Sequence, residues 1–149
     1  MLTDDMLFTL SSRLAMVGWL LLAFLPHRGR FLYRLTGLGI PCILAMLYGA
    51  LMAASFATAE GGGYGSLAQV KELFSEDRIL LAGWIHYLAF DLAVGTWIAK
   101  RATEVGLSRI VQVPILFMTL MFGPVGFLLF IVTEFGLKLL QSPVQRTAS

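Results

Sequence analysis

Charge is what this chain has least of. Aspartate, glutamate, lysine and arginine make up 13% of its 149 residues, about half the share of an ordinary soluble domain. A fully water-facing surface cannot be built from so few charged groups. Cysteine is almost missing: the one copy, Cys42, excludes an intrachain disulfide and any cysteine-based zinc or iron–sulfur site. In mid-span it reads as a small packing hydrophobe. The two histidines, His27 and His86, and the scattered carboxylates show no ligand spacing. Neither a metal centre nor a bis-histidine haem is expected, and no cofactor. Internal repeats and low-complexity tracts are not evident.

What is abundant is apolar. Hydrophobic residues make up 58% of the chain, and mean hydropathy is +0.80. Four stretches reach the roughly 20 residues that cross about 30 Å of hydrocarbon. They run approximately over 6–26, 35–58, 79–99 and 110–137. Little chain remains outside them, so the expectation is all-α: a single integral membrane four-helix bundle spanning residues 1–149. Gly61-Gly62-Gly63-Tyr64-Gly65 reads as a flexible hinge. It is not a phosphate loop, because no strand precedes it and no Gly-Lys-Ser/Thr follows. Beyond it, the segment from Ser66 to Phe74 is apolar at Leu67, Val70, Leu73 and Phe74. That spacing predicts a short interfacial helix in the outer loop between spans two and three.

The few charges are segregated. The connection from His27 to Arg34 carries three arginines and no acid, and the next basic connection holds Lys100, Arg101 and Arg109 against Glu104. Asp4 and Asp5 open the chain. The connection between spans two and three has Glu60, Glu72, Glu76 and Asp77 against Lys71 and Arg78. Basic loops stay cytoplasmic, which places both termini outside, although Lys138 and Arg146 pull the other way. The basic loops are read as topology and contact with anionic headgroups, so no nucleic-acid partner is expected. The first span is no signal peptide, since its leader is acidic and its apolar run too long.

Small residues and prolines shape two spans. Gly37, Gly39, Pro41 and Gly49 predict a bend near Pro41. Thr119, Gly123, Gly126 and Thr133 fall on one side of span four, a stripe that admits a close helix partner. Thr119 is also carried as a ligand contact, and Pro114 and Pro124 should bend this span.

The segment Gly83-Trp84-Ile85-His86-Tyr87-Leu88-Ala89-Phe90-Asp91-Leu92 places a histidine and an aspartate in a helix otherwise fit for lipid. An ionisable group there costs roughly 2.5–3.5 kcal/mol on insertion scales, so a function or a buried partner is the default reading. At about 100° per residue, Leu81, Ile85, Leu88, Ala89 and Leu92 gather on one arc, and His86, Tyr87, Phe90, Asp91 and Trp84 on the other. The aliphatic arc is expected to face lipid and the polar arc to face the bundle. His86 and Asp91 stand about 7.5 Å apart along the axis and about 140° around it, too far for a direct bond. Arg13 and Glu134 are the expected ionic partners, through an Arg13–Glu134 or Arg13–Asp91 pair, and Tyr48 or Tyr87 the hydrogen-bond partners of His86. Two readings follow: a buried network that fixes helix register, or an acid/base site in an apolar slot.

From Trp84 to Leu92, then Gly95 and Trp97, the sequence resembles the abscisic-acid-deficient-4-like membrane family. Pro114, Thr119-Leu120, Gly123-Pro124 and Gly126 agree, as does Glu72-Leu73-Phe74. The resemblance covers roughly residues 65 to 130. It implies a lipophilic ligand of carotenoid or isoprenoid type; the plant member is associated with neoxanthin formation, an isomerisation that opens an epoxide into an allene. Such a reaction needs a proton donor at the epoxide oxygen and a base at a vinylic carbon, with no net redox change. On this implication His86 and Asp91 carry proton transfer, Arg13 and Glu134 set their charge, and Trp84, Tyr87, Phe90 and Tyr48 line the slot. With no plastid transit segment, the chain is expected in a bacterial inner membrane. The competing expectation is a non-catalytic pigment- or lipid-binding subunit, alone as a homo-oligomer or docked on a larger membrane assembly. A transporter is disfavoured for want of a continuous polar path.

Overall fold

The computed structural model describes residues 3–25, 30–55 and 62–141, and every regular element among them is helical. His27, Glu60, Gly61 and Arg146, named above, and the expected ends of the first two spans at 26 and 58 lie outside the described residues. Three helices are long and apolar enough to cross a membrane: α1 (Asp4–Phe24), α2 (Arg30–Ser55) and α4 (Asp77–Glu104). Between the last two lies the short helix α3 (Leu67–Leu73). Helices α5 (Arg109–Phe122) and α6 (Pro124–Gln141) complete the chain.

Each start and stop has a local cause. Thr3 caps α1 by accepting from the Met6 amide at 3.3 Å, and Asp4 and Asp5 place negative charge on its positive end. Ser66 caps α3 through the Gln69 amide at 3.2 Å, while the Gln69 side chain reaches back to the Gly65 amide at 3.0 Å. This is close to a capping box. Helix α4 ends at Gly106, whose φ of +74° needs no Cβ, and the Leu107 amide bonds back to the Ala102 carbonyl at 2.8 Å. The expected bend in span two is a π-helical segment, Leu35–Gly39, in which the Ile40 amide reaches the Leu35 carbonyl. Pro41 follows directly and cannot donate, so the wider turn forms where the α pattern loses a bond.

The fourth expected span is two helices, and this departs from a four-helix bundle of full spans. Helix α5 starts at one end of the molecule, where the Arg109 guanidinium donates to the carbonyls of Leu22 (3.0 Å) and Ala23 (2.6 Å) at the close of α1. It stops at Gly123, which lies against Asp91 near the middle of α4. Helix α6 then runs back: Phe127 and Phe130 meet Trp97, and Glu134 meets Arg101 near the end of α4. The pair is a re-entrant hairpin with its tip at mid-height. Gly123 turns the chain at φ +29°, and Pro124 can only begin a helix there. The stripe of small residues serves this hairpin, because a Cβ at Gly126 would sit 2.2 Å from the Thr119 nitrogen. The close partner is the second half of the same expected span.

The hairpin also places the end of α6 opposite the start of α1, so the two described termini are not on one side. The Asp4 end gathers Asp5, Asp77 and Arg78, with an exposed Arg78–Asp4 contact of 3.5 Å. The other end gathers Arg30, Arg34, Lys100, Arg101, Arg109 and Lys138.

Helix α4 is the centre of the packing, chiefly against α2 and α1. Its buried residues are Leu81, Ala82, Ile85, Leu88, Ala89, Leu92, Gly95, Ile98, Ala99 and Ala102 among others. This is the aliphatic arc expected to face lipid, and it faces the bundle instead; of the polar arc, His86 and Phe90 are exposed while Tyr87 and Asp91 turn to the hairpin. Lipid tails are as apolar as leucine, so apolarity cannot tell a protein-facing arc from a lipid-facing one. Size can. Ala82, Ala89, Gly95, Ala99 and Ala102 let neighbours come close: the Trp19 ring would lie 2.4 Å from a Cβ at Gly95, and Leu92 2.6 Å from one at Gly18.

Candidate functional site

With α4 turned this way, its polar and aromatic arc divides between an exposed side and a side packed on α1 and the hairpin. Phe90 is 59% exposed and Trp84 is 39% exposed. His86 lies on the exposed side as well. Its ring stacks on Phe90 at 4.6 Å between centroids and faces Tyr48 of α2 at 5.4 Å. The expected hydrogen bond from Tyr48 or Tyr87 to His86 is not formed among the described residues: Tyr48 meets His86 ring to ring, and Tyr87 donates to Leu120 instead.

Beside His86 is a cleft of about 260 Å³ between α2, α3 and α4, lined by Tyr48, Met52, Tyr64, Leu73, Phe74 and Gly83 among others. Helix α3 forms its roof. Leu73 is buried and packs beneath Gly62, and the Phe74 ring would lie 2.6 Å from a Cβ at Gly83, so only glycine lets the roof close there. Composition and shape suit a ring-sized apolar group: three aromatic side chains, one thioether, two aliphatic side chains, and one imidazole as the basic polar point. At about 30 Å³ per water, the volume corresponds to about nine waters. That is room for a group the size of one ring, and the exposed face of α4 continues from it to Phe90.

Asp91 faces elsewhere. Its carboxylate covers the hairpin tip, with Oδ1 2.7 Å from where a Gly123 Cβ would be. Its Oδ2 is enclosed and has no hydrogen-bond partner among the described residues. The carboxylate stands at the amino-terminal end of α6, where the helix dipole favours negative charge. Tyr87, one turn earlier, donates its hydroxyl proton to the Leu120 carbonyl at 2.8 Å. Trp84 stacks on Tyr87 at 5.5 Å and on Phe8 at 5.6 Å, and its indole N–H donates to Ser12 Oγ at 3.0 Å. Trp84, Tyr87 and Asp91 thus tie α4 to α1 and the hairpin, while His86 and Phe90 open on the other side. The two ionisable groups do not share a cleft.

The expected ionic partners are also separated. Arg13 lies exposed on α1 and forms no ion pair among the described residues. Glu134 is buried at the opposite end, accepting from Arg101 (2.7 and 3.1 Å) and Lys138 (2.8 Å). An Arg13–Glu134 or Arg13–Asp91 pair is not formed. A single crossing from 110 to 137 would bring Glu134 to the depth of Arg13, whereas the hairpin carries it back to the basic end. Thr119 is fully buried and donates to the Ile115 carbonyl at 2.9 Å, which leaves it inside the hairpin with no face toward a guest.

Sequence reasoning missed the cleft residues Met52, Tyr64 and Phe74. The apolar spacing ending at Phe74 carried the signal, but which helix α3 covers is a tertiary fact. It also missed the staple at the basic end: Arg109 donates to the buried Gln112 Oε1 at 3.1 Å, and Gln112 donates to the Leu107 carbonyl at 2.7 Å. Among the described residues no group of three or more histidine, cysteine or carboxylate side chains stands together to hold a metal.

Compared with known proteins, residues 6–130 match the family model described as ABA DEFICIENT 4-like. The match takes in α1 to α5 and the first turns of α6, hence the roofed cleft and the hairpin tip, and stops short of Glu134. No curated protein and no solved structure matches significantly. The extent of the family match is decisive: this chain is a member of the ABA DEFICIENT 4-like family.

Proposed function

We propose that this membrane protein binds an elongated lipophilic molecule of carotenoid or isoprenoid type, seated by one end group in the cleft beside His86. The observation that carries the reading is the roofed aromatic cleft between α2, α3 and α4, with a single imidazole at its wall and an exposed aromatic ring, Phe90, below it. Apolar pockets with a few placed polar groups are the usual form of a small-molecule site. The resemblance noted above supplies the ligand class. On this reading the basic end lies in the cytoplasm, in keeping with the usual bias of basic loops, and the cleft opens toward the outer leaflet of a bacterial inner membrane.

The second reading, an acid/base isomerase, is favoured by one specific contact. A proton donor and a base must both reach the same bound molecule, and His86 and Asp91 do not. His86 and the Tyr48 phenol do border one cleft. If chemistry occurs, that pair is its seat, with the imidazole as base and the phenol as donor.

The test is to purify the protein from carotenoid-producing cells and examine it by absorbance and mass spectrometry. The binding reading expects a co-purified lipophile, depleted in His86→Ala. A protein free of any such molecule contradicts it. For the isomerase, His86→Gln and Tyr48→Phe should each retain ligand yet abolish product in cells fed candidate carotenoids. Unchanged product in Tyr48→Phe removes Tyr48 from the reaction.

A further inference from the structure

The end of the molecule opposite the His86 cleft carries a second concavity that the proposed function does not use. It holds about 540 Å³ between α2 and α4 and is lined at its rim by Arg30, Arg34 and Lys100. Leu38, Ala93 and Trp97 lie among its walls. The π-helical turn Leu35–Gly39 forms one side, where Gly37 approaches Thr96 closely enough that a Cβ would lie 3.0 Å from Thr96 Cγ2.

Three features make this more than a basic loop. First, the cations converge from two helices: Arg30 and Arg34 are one helical turn apart on α2, and Lys100 faces them from α4. Second, they are available. Arg30 and Arg34 form no ion pair among the described residues, and Lys100 has only a 3.9 Å contact with Glu104 while 60% exposed. Other cations at this end are engaged, Arg101 with Glu134 and Arg109 with the carbonyls of α1. Third, polarity is graded along the cleft. Charge stands at the membrane end of α2 and α4, and the walls turn apolar one to two turns deeper, at Leu38, 63% exposed, and at Trp97.

A cleft that is cationic at the leaflet surface and apolar toward the bilayer centre matches an amphiphile with an anionic head and an acyl chain. We infer that the cleft between Arg30, Arg34 and Lys100 binds an anionic phospholipid of the surrounding leaflet, phosphate against the three cations and acyl chain along Leu38 and Trp97. Arginine and lysine near a membrane surface each add about 1 kcal/mol toward anionic lipid, or about five-fold in affinity. Trp97 suits the boundary between head and chain.

The experiment is native mass spectrometry of the full chain in neutral detergent, titrated with phosphatidylglycerol, phosphatidylcholine or inorganic phosphate. The site predicts bound phosphatidylglycerol in preference to phosphatidylcholine, and a loss of roughly 30-fold in affinity in the Arg34→Gln/Lys100→Gln double variant, at about five-fold per side chain. Both side chains are exposed, so the fold should tolerate the changes. Arg78→Gln, at the acidic end, should bind as the parent does. Equal retention of phosphatidylcholine, or unchanged phosphatidylglycerol binding in the double variant, overturns the inference. So does displacement of the lipid by inorganic phosphate at comparable concentration, which would mark a site for the free anion.

Discussion

The hydroxyl of Tyr87 donates to the carbonyl of Leu120 at 2.8 Å. In an uninterrupted helix that carbonyl would accept from residue 124, but residue 124 is proline and has no N–H. The third membrane-length helix therefore supplies the donor that the break in the hairpin removed. Inside hydrocarbon, where water cannot fill the gap, this is how an interrupted helix is made tolerable.

Tyr87→Phe should accordingly destabilise the protein by about 1 kcal/mol, within the range found for hydrogen bonds between membrane helices. Reversible unfolding in mixed micelles measures it. Pro124→Ala restores a backbone donor, so the cost of Tyr87→Phe should shrink in the Pro124→Ala background. An undiminished cost in the double-mutant cycle would separate the phenol from the missing amide.

Gly126 and Gly49 make a matched pair. A Cβ at Gly126 would meet the Thr119 backbone at 2.2 Å, while one at Gly49 meets nothing within 4 Å. Gly126→Ala should cost about 1–3 kcal/mol, as overpacking does, by forcing the hairpin legs apart. Gly49→Ala should be neutral or slightly stabilising, because alanine favours helix. Thermal unfolding of the two variants side by side checks the contrast, and equal effects would count against a tight hairpin.

Membrane sidedness tests the hairpin itself. In a Cys42→Ser background, Asp5→Cys and Lys138→Cys should react with an impermeant maleimide from opposite sides, and Arg34→Cys from the side of Lys138. Four full crossings would put positions 5 and 138 on the same side. Labelling intact cells and inverted vesicles distinguishes the two arrangements.

Much of the architecture can be read from local chemistry, because local chemistry makes it. Long apolar runs give membrane helices, Ser66 with Gln69 gives the roof helix its start, and Pro41 gives the distortion of α2. The outward turn of His86 is a different kind of fact. In water, the polar arc of a helix identifies its surface; in lipid, apolar arcs compete equally for neighbours, and closeness of approach decides. Ala82, Ala89, Gly95 and Ala99 decided it for α4. Glu134 was misplaced for a related reason. From the residues alone Pro124 reads as a bend; the close packing of Gly123 on Asp91 and of Gly126 on Thr119 makes it a reversal. Tyr48 and Tyr87 were both expected beside His86 as hydrogen-bond partners; the structure puts only Tyr48 across from the imidazole in another helix, as a ring contact.

The functional account rests on a guest sitting against His86, and the chain's two histidines make that directly observable. With isotope-labelled histidine in detergent, a His27→Gln variant assigns the imidazole signals. Adding a carotenoid or isoprenoid candidate should shift the His86 signal saturably, with the same midpoint as ligand binding by absorbance, and Tyr48→Phe should alter that shift. Saturable binding that leaves the His86 imidazole unmoved would place the guest elsewhere and contradict the account.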